Sequence, residues 1–184
     1  MESNLFYSLI LVKRPGQTDH AYLRKRNHSK LMTDKNREII ISKEDAVFWM
    51  DGNGGWHNIH GAFEHKKVIA YFNRSIEYDA DGYFVSQVRG DVVEKVYFRY
   101  QETALFAVDI IQNDDLQLLL NTRKQVPLNP KKLFIRNDNL FMHFENQRIK
   151  FTDRSMIKLS NRLDDANGQL TIHLKGVRYT IQEK

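Results

Sequence analysis

The 184-residue sequence predicts an α+β fold, mostly antiparallel β, built as two similar β-rich halves with one short helix each. Three observations carry this expectation. Many short runs alternate with a period of two, as where Val96, Phe98 and Tyr100 alternate with Lys95, Tyr97 and Arg99. Only two stretches, 66–76 and 155–163, show an apolar face at helical spacing. Those stretches also occupy matching places: Ile69, Phe72 and Ile76 fall on Met156, Leu159 and Leu163 at one constant offset. Small slips in register then pair Phe48 with Phe134, Trp56 with Phe141, and Gly82 with Gly168.

The expected units are a basic N-terminal extension (1–37), a first β-rich repeat (38–125) and a second (126–184). In the extension an apolar run, 5–12, is broken by Pro15-Gly16 and followed by Arg24, Lys25, Arg26, Lys30, Lys35 and Arg37. Residues 38–42 and 47–50 read as strands. Asp51-Gly52-Asn53-Gly54-Gly55 can reverse the chain, because glycine accepts positive φ. A strand over 56–63 precedes the helix at 66–76, which ends in the turn chemistry of Asp79-Ala80-Asp81-Gly82. Strands follow at 83–88, 92–100, 105–111 and 116–121, with a turn at Asn113-Asp114-Asp115. Beyond Pro127 and Pro130, strands are expected at 133–136, 140–145 and 148–151. Thr152 or Asp153 can cap the helix at 155–163. Asn167-Gly168 turns the chain into a hairpin, 170–174 and 177–181, around Lys175-Gly176.

Composition limits the function. A hydrophobic fraction of 41% suffices for a packed interior. Zero cysteine excludes disulfides, zinc–thiolate sites, iron–sulfur clusters and thiol nucleophiles. The run at 5–12 is far short of the ~20 apolar residues that span a bilayer. Its charges, Lys13 and Arg14, follow it rather than precede it, unlike a secretory signal. The expectation is a cytoplasmic protein without membrane contact. The net charge of +5 suits phosphate-bearing partners, although a basic arm can also be solvated surface.

Candidate chemistry is sparse. His57, His60, His65 and Glu64 form the one histidine cluster, yet strand alternation points His57 and His60 apart, so surface histidines are preferred over a metal site. Glu77, Asp79, Asp81 and Gly82 resemble the start of a calcium loop, but Val88 stands where its bidentate Glu belongs. Trp56 and Phe141 read first as core anchors and second as stacking platforms. Arg74, Arg148 and Lys150 can hold an anion or be solvated charge. No G-x-S-x-G, G-x-x-x-x-G-K-[ST] or H-E-x-x-H signature occurs, and no cofactor or metal is implied.

Several motifs carry a resemblance. They are Asp51 with Trp56 in D-G-x-x-x-W, Phe72, and Asp81-Gly82-Tyr83 in the first half. In the second they are Leu116, Leu118, Leu120 and Asn121 (L-x-L-x-L-N), then Leu128, Pro130 and Leu133 (L-x-P-x-x-L). Asn139, Leu140 and Phe141, Lys150-Phe151-Thr152, and Gly176, Tyr179 and Ile181 complete the pattern. From residue 38 onward the chain resembles an uncharacterised bacterial domain-of-unknown-function family with duplicated β-rich domains. The resemblance implies a C-terminal half similar to a pleckstrin-homology fold. It also implies ligand binding at the domain interface, of a nucleotide-like molecule, in signal transduction. The longer, different basic N-terminus departs from that pattern.

The reading that follows is a non-enzymatic ligand-binding or signalling module that takes a nucleotide-like anion between its halves. Trp56 is assigned stacking, Asn121 hydrogen bonding, and Arg74, Arg148 and Lys150 charge. The alternative is a protein- or nucleic-acid-interaction module acting through the basic arm.

Overall fold

Both predicted helices form, and each lies between two three-stranded antiparallel meanders. The structure, a computed structural model, describes residues 37–89, 91–112, 115–166 and 168–184. The basic arm up to residue 36 and the turn residues Asn113, Asp114 and Asn167 lie outside the described residues.

After β1 (Arg37–Ile41), the first meander is β2 (Phe48–Met50), β3 (Trp56–Asn58) and β4 (Gly61–Ala62). Helix α1 (Lys66–Arg74) follows, then β5 (Ile76–Asp79), β6 (Gly82–Arg89) and β7 (Val92–Tyr97). Strands β8 (Leu105–Gln112), β9 (Leu116–Leu120) and β10 (Gln125–Pro127) come next. The second meander is β11 (Leu133–Arg136), β12 (Asn139–Phe144) and β13 (Gln147–Phe151), followed by α2 (Asp153–Leu159). Strands β14 (Leu163–Ala166), β15 (Gln169–Leu174) and β16 (Val177–Thr180) form the last meander, and β17 (Gln182–Glu183) closes the chain.

The α+β class therefore holds, with antiparallel pairing dominant. Among the described residues three strand pairings are parallel, β1 with β7, β8 with β13, and β11 with β17. The largest sheet has seven strands in the order β10-β9-β8-β13-β12-β11-β17. It draws strands from both sides of the 125/126 division, which falls inside β10. A four-stranded sheet, β1-β7-β6-β5, belongs to the first half.

The structure differs from the sequence reading at two matching points. Both helices stop earlier than their apolar period suggests. Ile76 and Leu163 continue the spacing of Phe72 and Leu159, but each opens a strand, pairing with Val85 and Ile172. After α1, Ser75 ends the helix by donating its hydroxyl to the Tyr71 carbonyl (3.0 Å). After α2, a single 3-10 turn (Ser160–Arg162) intervenes. The second helix also starts earlier, at Asp153, capped by the Thr152 hydroxyl, which accepts from the Ser155 amide. The strand expected over 56–63 is instead the hairpin of β3 and β4, turned at Gly61 (φ 123°).

One continuous core runs from Ala46 to Ile181. Its densest part joins α1 to the first meander through Phe48, Trp56, Phe72 and Phe98, with ring centroids 4.7–6.2 Å apart. The buried indole of Trp56 donates to Asn73 Oδ1 (2.8 Å), so α1 satisfies the one polar atom of that ring.

The seam between the halves is filled rather than open. Strand β8 pairs with β13 across it, setting Phe106 beside Lys150, and buried residues of both halves share one cluster. Lys150, buried on β13, donates to the Gly52 carbonyl (2.8 Å). Among the described residues, no helix is long and apolar enough to cross a membrane.

Phe72→Ala is expected to destabilise the fold by about 3–5 kcal/mol, the usual loss for a fully buried phenylalanine. Urea unfolding followed by tryptophan fluorescence measures it. Lys150→Met keeps the volume but leaves the Gly52 carbonyl unpaired, a cost of about 1–3 kcal/mol in the same assay.

Candidate functional site

The order of the second meander puts alternating residues of three strands on one sheet face. Residues 134 and 136 of β11, 141 and 143 of β12, and 148 and 150 of β13 share it, because side chains alternate along each strand. The register pairs Phe134 with Phe141 and His143 with Arg148. Tight turns fix that register: Asn137 and Asp138 both adopt positive φ (49° and 58°) between β11 and β12.

A cleft of about 550 Å³ opens on this face. Phe134 forms its floor, stacked on Phe141 at 5.4 Å and on His143 at 4.4 Å. Arg136, Arg148 and Lys184 supply positive charge to its walls. Glu145 and the amides of Asn146 and Gln147, from the β12–β13 turn, complete the lining. Arg136 is also drawn toward Glu102, 3.9 Å away behind it. That carboxylate lies between Arg136 and Lys150 (3.8 Å), and one of its oxygens is buried with no hydrogen-bond partner.

The Lys184 ammonium sits 3.0 Å from His143 Nε2 and 5.0 Å from the centre of the Phe134 ring. An ammonium only donates, so Nε2 accepts and the imidazole is neutral, with its proton on Nδ1. His143 titrates below the ordinary histidine value. Loss of solvent on the side facing Phe134 is the main cause, and the cations Lys184, Arg148 and Lys132 add to it.

The backbone under Arg148 is fixed from across the seam. Thr103, buried, donates its hydroxyl to the Arg148 carbonyl (2.6 Å) and accepts from the Leu105 amide. Its single proton is thereby used, so the Tyr83 hydroxyl, 3.0 Å away, donates to it. Burial pushes the Tyr83 phenol up to about 12, which keeps that donor protonated.

The sequence-assigned residues scatter. Arg148 lines the cleft, and Lys150 shares its sheet face but is spent on Gly52 and Glu102. Trp56 is a core ring, only 1% exposed, and offers no surface for an external base. Asn121 is buried with both side-chain polar atoms paired: it accepts from the Phe106 amide (3.1 Å) and donates to the Ala104 carbonyl (2.9 Å). Its role is to hold the segment that starts β8. Arg74 is exposed at the C-terminal end of α1 and does not line the cleft. The cleft belongs to residues 134–184 alone, whereas the interface between the halves is packed.

Sequence reasoning passed over Phe134, Arg136, His143 and Lys184 as site residues. A signal existed: once two-residue turns are read at 137–138 and 145–146, the pairings 134/141 and 143/148 follow.

Elsewhere, His57 Nε2 lies 2.6 Å from Asp51 Oδ2, while Asp51 Oδ1 accepts the amides of Asn53 and Gly55 (2.8 Å each). The aspartate of D-G-x-x-x-W thus builds the turn. A second depression, about 400 Å³, holds His60, Glu64 and His65. Among the described residues, no three or more His, Asp or Glu side chains are placed to share a metal ion. Asp79 is engaged by Lys95 (2.6 Å), Tyr97 (2.7 Å) and the Asp81 amide (3.0 Å).

No family model and no curated protein matches this chain. Two solved bacterial structures are similar to it. A DUF1285 family protein from Silicibacter pomeroyi DSS-3 superposes with a TM-score of 0.55 at 12% identity, covering 79% of this chain and 83% of that one. A DUF1285 family protein from Shewanella baltica OS155 has a TM-score of 0.46 at 15% identity, over 62% of this chain and 91% of that one. The first likeness establishes a shared fold and nothing finer. It is consistent with the resemblance, drawn from sequence motifs, to an uncharacterised bacterial family.

Proposed function

We propose that this protein is a ligand-binding module whose ligand is a small, nucleotide-like anion held in the groove on the seven-stranded sheet. One observation carries the reading: Arg136, Arg148 and Lys184 converge on a cleft floored by an aromatic stack. Arginine forks suit phosphate or carboxylate oxygens, and the exposed side of the His143 ring suits a planar group laid against it. The lining side chains include no hydroxyl or thiol nucleophile, which favours binding over group transfer. A signalling role and the pleckstrin-homology likeness of the second half belong to the same proposal. The helix between two meanders, present in both halves, supports a duplicated origin. The site proposed is this cleft rather than the interface between halves, where buried residues of both share one core. Action through the basic arm is a separate reading, and it rests on residues outside those described.

The test is calorimetric titration with AMP, inorganic phosphate and adenosine at low salt. AMP and phosphate are expected to bind and adenosine to bind far more weakly. Arg148→Ala removes a charge-assisted contact of about 1.5–3 kcal/mol, a loss of roughly 10- to 100-fold in affinity. Equal affinity for AMP in wild type and Arg148→Ala, with the variant folded, rejects the groove as the site.

A further inference from the structure

Resting on that reading, we propose that the groove captures its anion together with a proton, and that His143 is the group that takes the proton. The ligand class this defines is a doubly charged tetrahedral oxyanion, such as a phosphate monoester terminus.

Charge around His143 is unbalanced. Positive groups face His143 from every side: Lys132 before β11, Arg136 on β11, Arg148 across on β13, and Lys184 after β17. Two carboxylates oppose them. Glu145 is exposed in the adjoining turn, and Glu102 stands behind Arg136. Protonating His143 without an anion beside it adds a further positive charge to this group. It also breaks the contact in which Nε2 accepts from Lys184.

An oxyanion in the cleft reverses both costs. It cancels the surrounding charge, so that an imidazolium is now favoured. It also gives the Lys184 ammonium a better acceptor than a ring nitrogen. Nε2 is then free to take a proton and donate to the same oxyanion. The balance is one anion and one proton taken up: the proton leaves hydronium or a buffer acid and forms the Nε2–H bond, and no other covalent bond changes. The ring needs little movement, because Phe134 already holds it at 4.4 Å.

The linkage has a definite sign. Histidine ordinarily titrates near ~6.5, the unoccupied groove lowers that value, and the anion raises it. Between the unoccupied and occupied values, binding takes up protons, so affinity rises as pH falls, by up to about tenfold per pH unit for one proton. Without an anion the folded chain resists protonation more than the unfolded chain. Its stability therefore declines as pH drops below about 6.5, and added anion offsets this decline.

Sulfate is the appropriate probe, since it stays doubly charged throughout the range and contributes no titration of its own. The full chain is titrated with sulfate calorimetrically between pH 5.5 and 8.0, with NMR of the histidine rings in parallel. The expected result is tighter sulfate binding at lower pH, a sulfate-induced rise in the His143 midpoint, and a flat pH profile in His143→Gln. Glutamine can still accept from Lys184, which favours a folded variant, and the ring titration in wild type does not depend on it. A pH-independent wild-type affinity, or a slope that survives in folded His143→Gln, overturns proton coupling and leaves the anion site standing. No saturable binding of sulfate or phosphate at any pH overturns both.

Discussion

The parallel pairing of β8 with β13 is the constraint on which the remaining architecture depends. It joins Leu105, Phe106 and Ala107 to Ile149, Lys150 and Phe151, and so fuses strands from both halves into one sheet. Parallel neighbours need a long connection between them, and here it runs through β9, β10, β11 and β12. Such a join cannot be left weakly held, because its loss would expose two apolar faces at once. The chain reinforces it with polar contacts that have few alternatives. Asn121 stands in for missing strand partners at Ala104 and Phe106. Thr103 ties the strand start to Arg148, and Thr152 donates to the Ala107 carbonyl (2.9 Å) where the strand pair ends.

Those contacts explain why residues with functional-looking chemistry turn out to be structural. A buried amide or ammonium is costly unless every polar atom is paired. Asn121 and Lys150 meet that condition with backbone carbonyls, and Trp56 meets it with Asn73. Arg148 differs in one respect. Its carbonyl is held by the seam while its guanidinium faces the cleft. The seam thus positions the groove without forming part of it.

Much of the fold was legible because its signals are local. Alternation identified most strands, and Lys175-Gly176, with φ of 50° and 75°, turned the expected hairpin. The helix ends were misjudged because Ile76 and Leu163 satisfy two patterns. Each sits four residues beyond a buried helical residue, and each is also the inward residue opening a strand. Periodicity cannot separate these, and hydrogen bonding at Ser75 and the 3-10 turn decide them. The same ambiguity recurs at both helix ends. Parallel partners such as β1 with β7 and β11 with β17 left no local mark, since they are set by packing between distant segments. The groove was legible only in part for the same reason. Arg148 was marked by its charge, but Lys184 reaches the site only because β17 runs alongside β11.

The groove differs from the clusters at Asp79 and Asp109 in how its charges are met. At Asp79 and Asp109, cations and carboxylates pair directly: Lys95 binds the first, and Arg154 and Lys158 the second. Around His143 the contacts are of another kind, with one ammonium spent on an imidazole nitrogen and on an aromatic face. Neither partner neutralises it. An aromatic floor makes this arrangement tolerable, because the face of Phe134 attracts a cation without cancelling its charge. The result is a site in which positive potential is kept high beside open solvent, at some cost in self-repulsion. Under the proposed function, the neutral His143 ring leaves that charge for a bound anion to meet.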